Sequence, residues 1–236
     1  MGTKITQEGI LKLLDKLYDQ SVLGIEKVSP PIEVLANDYL KMNSSVNLAA
    51  KSFINYQIAK CTTSGFLTGL PGLITLPVTI PASIGSVLYV QMRMIACLAY
   101  MGGYDTKSDQ VQTLVYACLA GISIDQAAKS VGIKIGVNFA KAAVQKIPGR
   151  VLSKINKAVG FKLLTKFGSK GTINIGKAVP IVGGIIGGGF DFFETKIIAK
   201  RAYKLFIEDD FSVLSNDELE VIEVDEIAED TNTFDD

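Results

Sequence analysis

Residues Cys61–Tyr104 read CTTSGFLTGLPGLITLPVTIPASIGSVLYVQMRMIACLAYMGGY, and in these 44 residues Arg93 is the only charge. The stretch is apolar enough for a bilayer or a protein core, but three prolines interrupt its first half and prevent one continuous helix. From Pro81 the chain can run as a single helix of about 20 residues to Met101, where a Gly-Gly pair ends it. The stretch therefore predicts a Gly/Pro-rich turn that leads into a long apolar helix.

A shorter version of this arrangement returns at Gly176–Phe206, which reads GKAVPIVGGIIGGGFDFFETKIIAKRAYKLF. Its helix carries two isolated acids, Asp191 and Glu194. They follow Pro180 at about the same number of residues as Arg93 follows Pro81. A charge in an apolar core normally requires a partner of opposite sign. If the two units pack antiparallel, we expect a buried ion pair between Arg93 and Asp191 or Glu194. The alternatives are a polar spot inside a ligand cavity and chance positions of these charges on the surface.

The rest of the chain favours an all-α fold, because apolar residues recur at helical spacing and no run alternates as a β-strand does. We predict a multi-helix globular bundle over residues 1–208, with the two Gly/Pro-rich apolar hairpins at its centre. Residues 209–236 are predicted to form a flexible, mostly disordered acidic tail. Arg93 near the middle of Pro81–Gly103 would be costly in lipid, which argues against a membrane span.

Charge is strongly segregated although the net charge is zero. Lys129–Lys204 contains 15 basic and two acidic residues, whereas Leu205–Asp236 contains 13 acidic residues and no basic one. The basic part includes an amphipathic helix at Val151–Phe167. Ten of the eleven basic residues from Lys129 to Lys177 are lysine, whereas nucleic-acid readers use more arginine, so this part suits an anionic membrane surface or a membrane protein. The predicted anionic-surface residues are Lys154, Lys157, Lys162, Lys166 and Lys170; the alternative is a solvated face neutralised by the acidic tail.

Several classes of chemistry are excluded because the chain has no histidine, which removes Ser-His-Asp triads, Cys-His dyads and histidine metal sites. Cys61, Cys97 and Cys118 are widely spaced in apolar contexts, which predicts free buried thiols in a reducing compartment. The first residues lack the apolar core of a secretory signal, which favours a cytoplasmic location. We predict no catalytic residue, no metal site and no cofactor.

Five motifs together resemble the EcsC family of bacterial proteins. They are PPIEVLANDYL (Pro30–Leu40), CTTSGFLTGLPGLITLPVTIPASI (Cys61–Ile84), YVQMRMIACLAYMGGYD (Tyr89–Asp105), INKAVGFKLLTKFGSKG (Ile155–Gly171) and VPIVGGIIGGGFD (Val179–Asp191). The family is named for a protein associated with an ABC-type transporter, so the resemblance implies a bacterial setting and proximity to a membrane. It implies no reaction and no catalytic residue.

The functional hypothesis is a non-enzymatic, cytoplasmic accessory protein that docks peripherally on the inner face of the membrane or on a membrane partner such as an ABC transporter. The lysine face would bind anionic lipid and the acidic tail would compete for it, so deletion of Asp209–Asp236 should increase binding to anionic vesicles. One alternative is a lipid or apolar small-molecule binding protein with a cavity near Arg93. Another is a hydrolase that uses a serine or threonine with Asp191 or Glu194.

Overall fold

The all-α prediction is confirmed. The computed structural model describes residues 6–62, 82–132, 141–167 and 188–214, and within these ranges it contains helices and no β-strand. The helices are α1 (Gln7–Leu23), α2 (Ile32–Met42), α3 (Val46–Thr62), α4 (Ala82–Met101), α5 (Asp109–Ala120), α6 (Ile124–Lys129), α7 (Lys141–Val144), α8 (Gly149–Phe167), α9 (Gly188–Phe206) and the 3-10 turn η1 (Phe211–Leu214).

The long helix predicted after Pro81 is α4, and it forms the centre of the bundle. It packs against α1, α2, α3, α5 and α9. Six of the seven consecutive side chains from Met94 to Tyr100 are buried, so the helix is enclosed on nearly all sides. A helix that is apolar all round requires this position, because any outward face would expose hydrophobic surface.

The helices α4 and α9 pack side by side and run parallel. Near their middle, Gln91 Nε2 donates to Thr195 Oγ1 over 3.1 Å, and at their C-terminal ends Gly102 lies directly against the Phe206 backbone. The antiparallel packing expected from the repeated sequence device is therefore wrong. Because Gly102 has no side chain, the two C-terminal ends can meet at backbone distance, and this contact fixes the parallel arrangement.

Three helices have their C-terminal carbonyl groups bound by a cation from elsewhere in the chain. None of α1, α4 and α5 has a basic residue in its own last turn. Arg93 donates to Ser21 O over 2.8 Å at the end of α1, Lys141 donates to Gly102 O after α4, and Arg201 donates to Cys118 O over 2.6 Å near the end of α5. Unpaired carbonyls and the negative end of the helix dipole both favour cations there.

The helical domain extends beyond residue 208. The Tyr104 hydroxyl donates to Asp209 Oδ1, and the Tyr104 ring packs edge-on against Phe206 with 5.2 Å between ring centroids. The turn η1 packs on α9, with Phe211 and Val213 partly buried against the core. Residues 209–214, assigned to the tail from sequence, thus lie on the domain, and the remaining acidic residues begin after Leu214.

Candidate functional site on helix α8

Helix α8 has a buried face that is held tightly against α1. Its buried side chains follow helical spacing and are Val151, Leu152, Ile155, Val159 and Leu163. At Gly160 the two helices approach so closely that an added Cβ would lie 3.0 Å from Gln7 Cγ. Gln7 Nε2 also donates to the Lys157 carbonyl over 2.6 Å. These contacts fix the rotation of α8 about its axis, so the residues on its opposite face are held outward.

The outward face carries four side chains in a row, which we call the basic stripe: Arg150, Lys154, Lys157 and Phe161. All four are exposed, and Phe161 keeps 63% of its surface accessible. Their spacing of four, three and four residues places them within about 60° of arc and along about 16 Å of the helix. None of the ion pairs among the described side chains involves Arg150, Lys154 or Lys157. The stripe is therefore a row of three cations that ends in an exposed aromatic ring.

The five lysines predicted from sequence do not form one face. Lys154 and Lys157 lie on the basic stripe, but Lys162 is turned aside and donates to the Gly121 carbonyl over 3.1 Å, just after α5. Lys166 is mostly buried in an ion pair with Glu194. Lys170 lies outside the described residues.

Two members of the stripe, Arg150 and Phe161, were not part of the predicted site. The predicted set contains only lysines, so it omits an arginine and an aromatic residue of the same helix. The signal that identifies both is the helical spacing from Lys154 and Lys157, which places all four side chains on one side. A count of lysines along the helix cannot reveal this, because it ignores the direction of each side chain.

Arg93 is buried, with 7% of its surface accessible, but its hydrogen-bond partners are carbonyl groups. Its guanidinium donates to Ser21 O and Pro30 O. Gln91 faces α9, and two residues further along the helix Arg93 is rotated by about 200°, toward α1. Glu194 pairs with Lys166 and not with Arg93. The side chain of Asp191 lies outside the described residues, so a pairing of Arg93 with Asp191 stays a prediction.

An open pocket of about 530 Å³ lies on the loop between α1 and α2, close to the backbone that Arg93 binds. It is lined by loop residues and the end of α1, namely Leu23, Ile25, Glu26, Lys27, Val28, Ser29, Pro30 and Pro31. Its walls come from a single surface segment and it opens to solvent, so it is a groove and not the internal cavity that a lipid carrier would use. The carrier hypothesis stays a prediction.

The described residues offer little reactive chemistry. Burial raises the pKa of the Cys97 and Cys118 thiols to about 12, so both stay protonated and unreactive at neutral pH. Both are free and buried, as predicted, whereas the Cys61 side chain lies outside the described set. Across the described ranges, no cluster of three Cys, Asp or Glu side chains could hold a metal ion. Nor does any helix there combine the length and apolarity that a bilayer crossing requires.

Comparison with protein-family models, with curated proteins and with solved structures finds no match to this chain. Its function is therefore inferred from the geometry of the basic stripe and from the charge pattern of the sequence.

Proposed function

We propose that this protein is a non-enzymatic accessory protein that docks peripherally and reversibly on an anionic membrane surface through the basic stripe of α8. The observation that carries the proposal is the single row of Arg150, Lys154, Lys157 and Phe161, held outward by the packing of α8 on α1. A helix that lies on a bilayer presents cations to lipid headgroups and an aromatic side chain to the acyl boundary.

The expected strength of this docking is modest. Each cation near an anionic surface contributes up to about 1 kcal/mol, and the three cations of the stripe therefore contribute up to about 3 kcal/mol. Burial of the exposed Phe161 ring at the interface adds about 1–2 kcal/mol. Such a sum supports reversible binding that weakens as salt screens the charges. A regulated accessory protein, and not a permanently inserted one, fits this range.

The alternative is that the stripe is only a solvated surface. A single exposed phenylalanine is ordinary on a protein surface. Its position favours docking, however, because Phe161 extends the row of cations on the same side of the helix and so can enter the interface while they contact headgroups. We further propose that the protein docks on the inner face of the cytoplasmic membrane, in an EcsC-like role beside an ABC transporter. The sequence motifs quoted above support this proposal.

The charge component is tested by the triple variant Arg150→Gln/Lys154→Gln/Lys157→Gln. In 50 mM NaCl we expect it to bind vesicles of phosphatidylglycerol and phosphatidylcholine roughly 30-fold more weakly than the wild type, because most of the headgroup attraction is removed. Co-sedimentation over a range of lipid concentrations measures the change. The matched control removes three exposed lysines elsewhere, Lys27→Gln/Lys41→Gln/Lys51→Gln. An equal loss in this control, or no binding by the wild type and by every variant, would contradict docking through α8.

The aromatic component is tested at Phe161. Phe161→Ser should weaken vesicle binding roughly 10-fold without altering thermal stability, because the ring contributes interfacial burial but little to the core. Phe161→Trp should retain binding and supplies the only tryptophan of the chain. Its fluorescence should shift to shorter wavelength when anionic vesicles are added and should stay unchanged with pure phosphatidylcholine. An unshifted spectrum under conditions where the protein sediments with vesicles would show that another surface makes the contact.

A further inference from the structure

We infer that the acidic C-terminal residues 215–236 occupy the basic stripe of α8 within the same molecule when no membrane is present. The inference that this contact regulates docking rests on the function proposed above; the contact itself does not. Three features carry the inference: the place where the chain leaves the domain, the length of chain beyond that place, and the complementary composition of the two segments.

The chain leaves the domain at the end of the bundle where α8 begins. The ion pair between Lys166 and Glu194 joins the C-terminal end of α8 to the N-terminal end of α9. At the other end of α9, Phe206 lies against Gly102, whose carbonyl accepts a hydrogen bond from Lys141 in α7. From α7 the chain passes within five residues to the start of α8. Helix α9 therefore ends at the end of the bundle where α8 begins, and the last described residue, Leu214, follows Phe206 by eight residues.

The tail is long enough to span the basic stripe. Residues 215–236 can extend over as much as about 70 Å, whereas the stripe is only about 16 Å long. Because the tail is tethered, its effective concentration at the stripe is in the millimolar range. Weak pairing is then enough to cover the stripe for much of the time.

The composition of the tail matches that of the stripe. Residues 215–236 contain ten acidic and no basic residues, while the stripe offers three cations that have no ion pair among the described side chains. The tail also interleaves its acids with apolar residues, namely Leu219, Val221, Ile222, Val224 and Ile227. These can cover the exposed ring of Phe161 while the carboxylates pair with the cations. An anionic bilayer offers the same two groups, so tail and membrane compete for one surface.

The contact is tested on the full-length protein without lipid by carbodiimide coupling, which joins only amines and carboxylates already in contact. Mass spectrometry of the monomer should find Lys154 and Lys157 joined to acids of residues 217–230, and these products should disappear in 0.5 M NaCl. The exposed pair Lys12–Glu8, whose charged atoms are 2.8 Å apart, serves as the internal positive control. If Lys12–Glu8 couples and the stripe lysines do not reach the tail, or reach it only in dimers, the inference is overturned.

Regulation is tested with a full-length variant in which all ten acidic residues of 217–236 are replaced by Asn or Gln. In 50 mM NaCl it should bind anionic vesicles about 10-fold more tightly than the wild type, and the difference should vanish in 300 mM NaCl, where the pairing is screened. Because this variant also gains positive net charge, the replacement is repeated in the Arg150→Gln/Lys154→Gln/Lys157→Gln background. The gain should be lost there; a gain that persists would show a general charge effect and overturn regulation through the stripe.

The two proposals fail in different ways. If the wild type binds vesicles through α8 but its tail does not couple to the stripe, docking stands and the tail contact is overturned. If the tail couples but no variant binds vesicles, the intramolecular contact stands while docking and its regulation fall.

Discussion

Replacing Gly102 by alanine should destabilise the fold by about 3 kcal/mol or more, because the added methyl group meets backbone atoms that no side-chain rotation can move. A Cβ built on Gly102 would lie 1.9 Å from the Phe206 carbonyl oxygen and 3.0 Å from its carbonyl carbon. To admit it, the C-terminal end of α9 must move away from α4. That movement would separate the packed rings of Tyr104 and Phe206 and expose Leu205, which is fully buried.

Urea unfolding followed by circular dichroism measures the change in the free energy of unfolding. The matched control is Gly149→Ala, since an added Cβ at Gly149 meets no atom within 4 Å. This position opens α8, where alanine is the better helix former by up to about 1 kcal/mol, so the control should be neutral or slightly stabilising. Equal stability of the Gly102 variant and the wild type would show that α4 and α9 do not meet at this contact.

The course of α4 and α8 could be predicted from sequence because the signals are local. Prolines prevent one continuous helix from running through the segment before α4, Gly102 and Gly103 end α4, and apolar spacing defines α8. The relative direction of α4 and α9 could not be predicted, since it depends on contacts between residues about 100 positions apart, such as Gln91 with Thr195. Two segments of similar sequence suggest similar local structure, but the similarity does not determine how the two segments pack against each other.

The candidate site was predictable in part for the same reason. Lys154 and Lys157 were identified, and the helical spacing that adds Arg150 and Phe161 was present in the sequence. The hydrogen bond of Lys162 could not be predicted from sequence, because its partner is a carbonyl after α5, 41 residues earlier. Arg201 was not singled out, although it too is buried and binds a carbonyl of α5. Cations that complete helix ends in this way cannot be told from surface cations by sequence alone.

Replacing Arg93 by methionine should destabilise the fold by about 3 kcal/mol, because the buried Ser21 carbonyl and the part-buried Pro30 carbonyl lose their donor and an unpaired buried group costs about 1–3 kcal/mol. Ser21 O belongs to the last turn of α1, where carbonyls have no partner within the helix, and Pro30 O lies just before α2. The guanidinium thus ties the end of α1 and the start of α2 to the central helix. Methionine retains much of the apolar volume but no donor.

Chemical unfolding of the Arg93→Met protein measures this loss. The matched control is Arg150→Met, which removes an exposed arginine and should change the free energy of unfolding by less than about 0.5 kcal/mol. Arg93→Lys should lie between the wild type and Arg93→Met, since an ammonium group retains the charge but lacks the fork that reaches two carbonyls at once. A methionine variant as stable as the wild type would show that the two carbonyls do not depend on Arg93.

A double-mutant cycle with Asp191 separates carbonyl binding from the ion pair predicted from sequence. If Arg93 serves only the carbonyls of Ser21 and Pro30, then Arg93→Met and Asp191→Asn should add within about 0.5 kcal/mol. If a buried ion pair with Asp191 also exists, Asp191→Asn should recover part of the loss in the Arg93→Met background, because it removes a carboxylate left without its partner. Additive losses would assign Arg93 to the ends of α1 and α2 alone and leave Asp191 without a role in holding it.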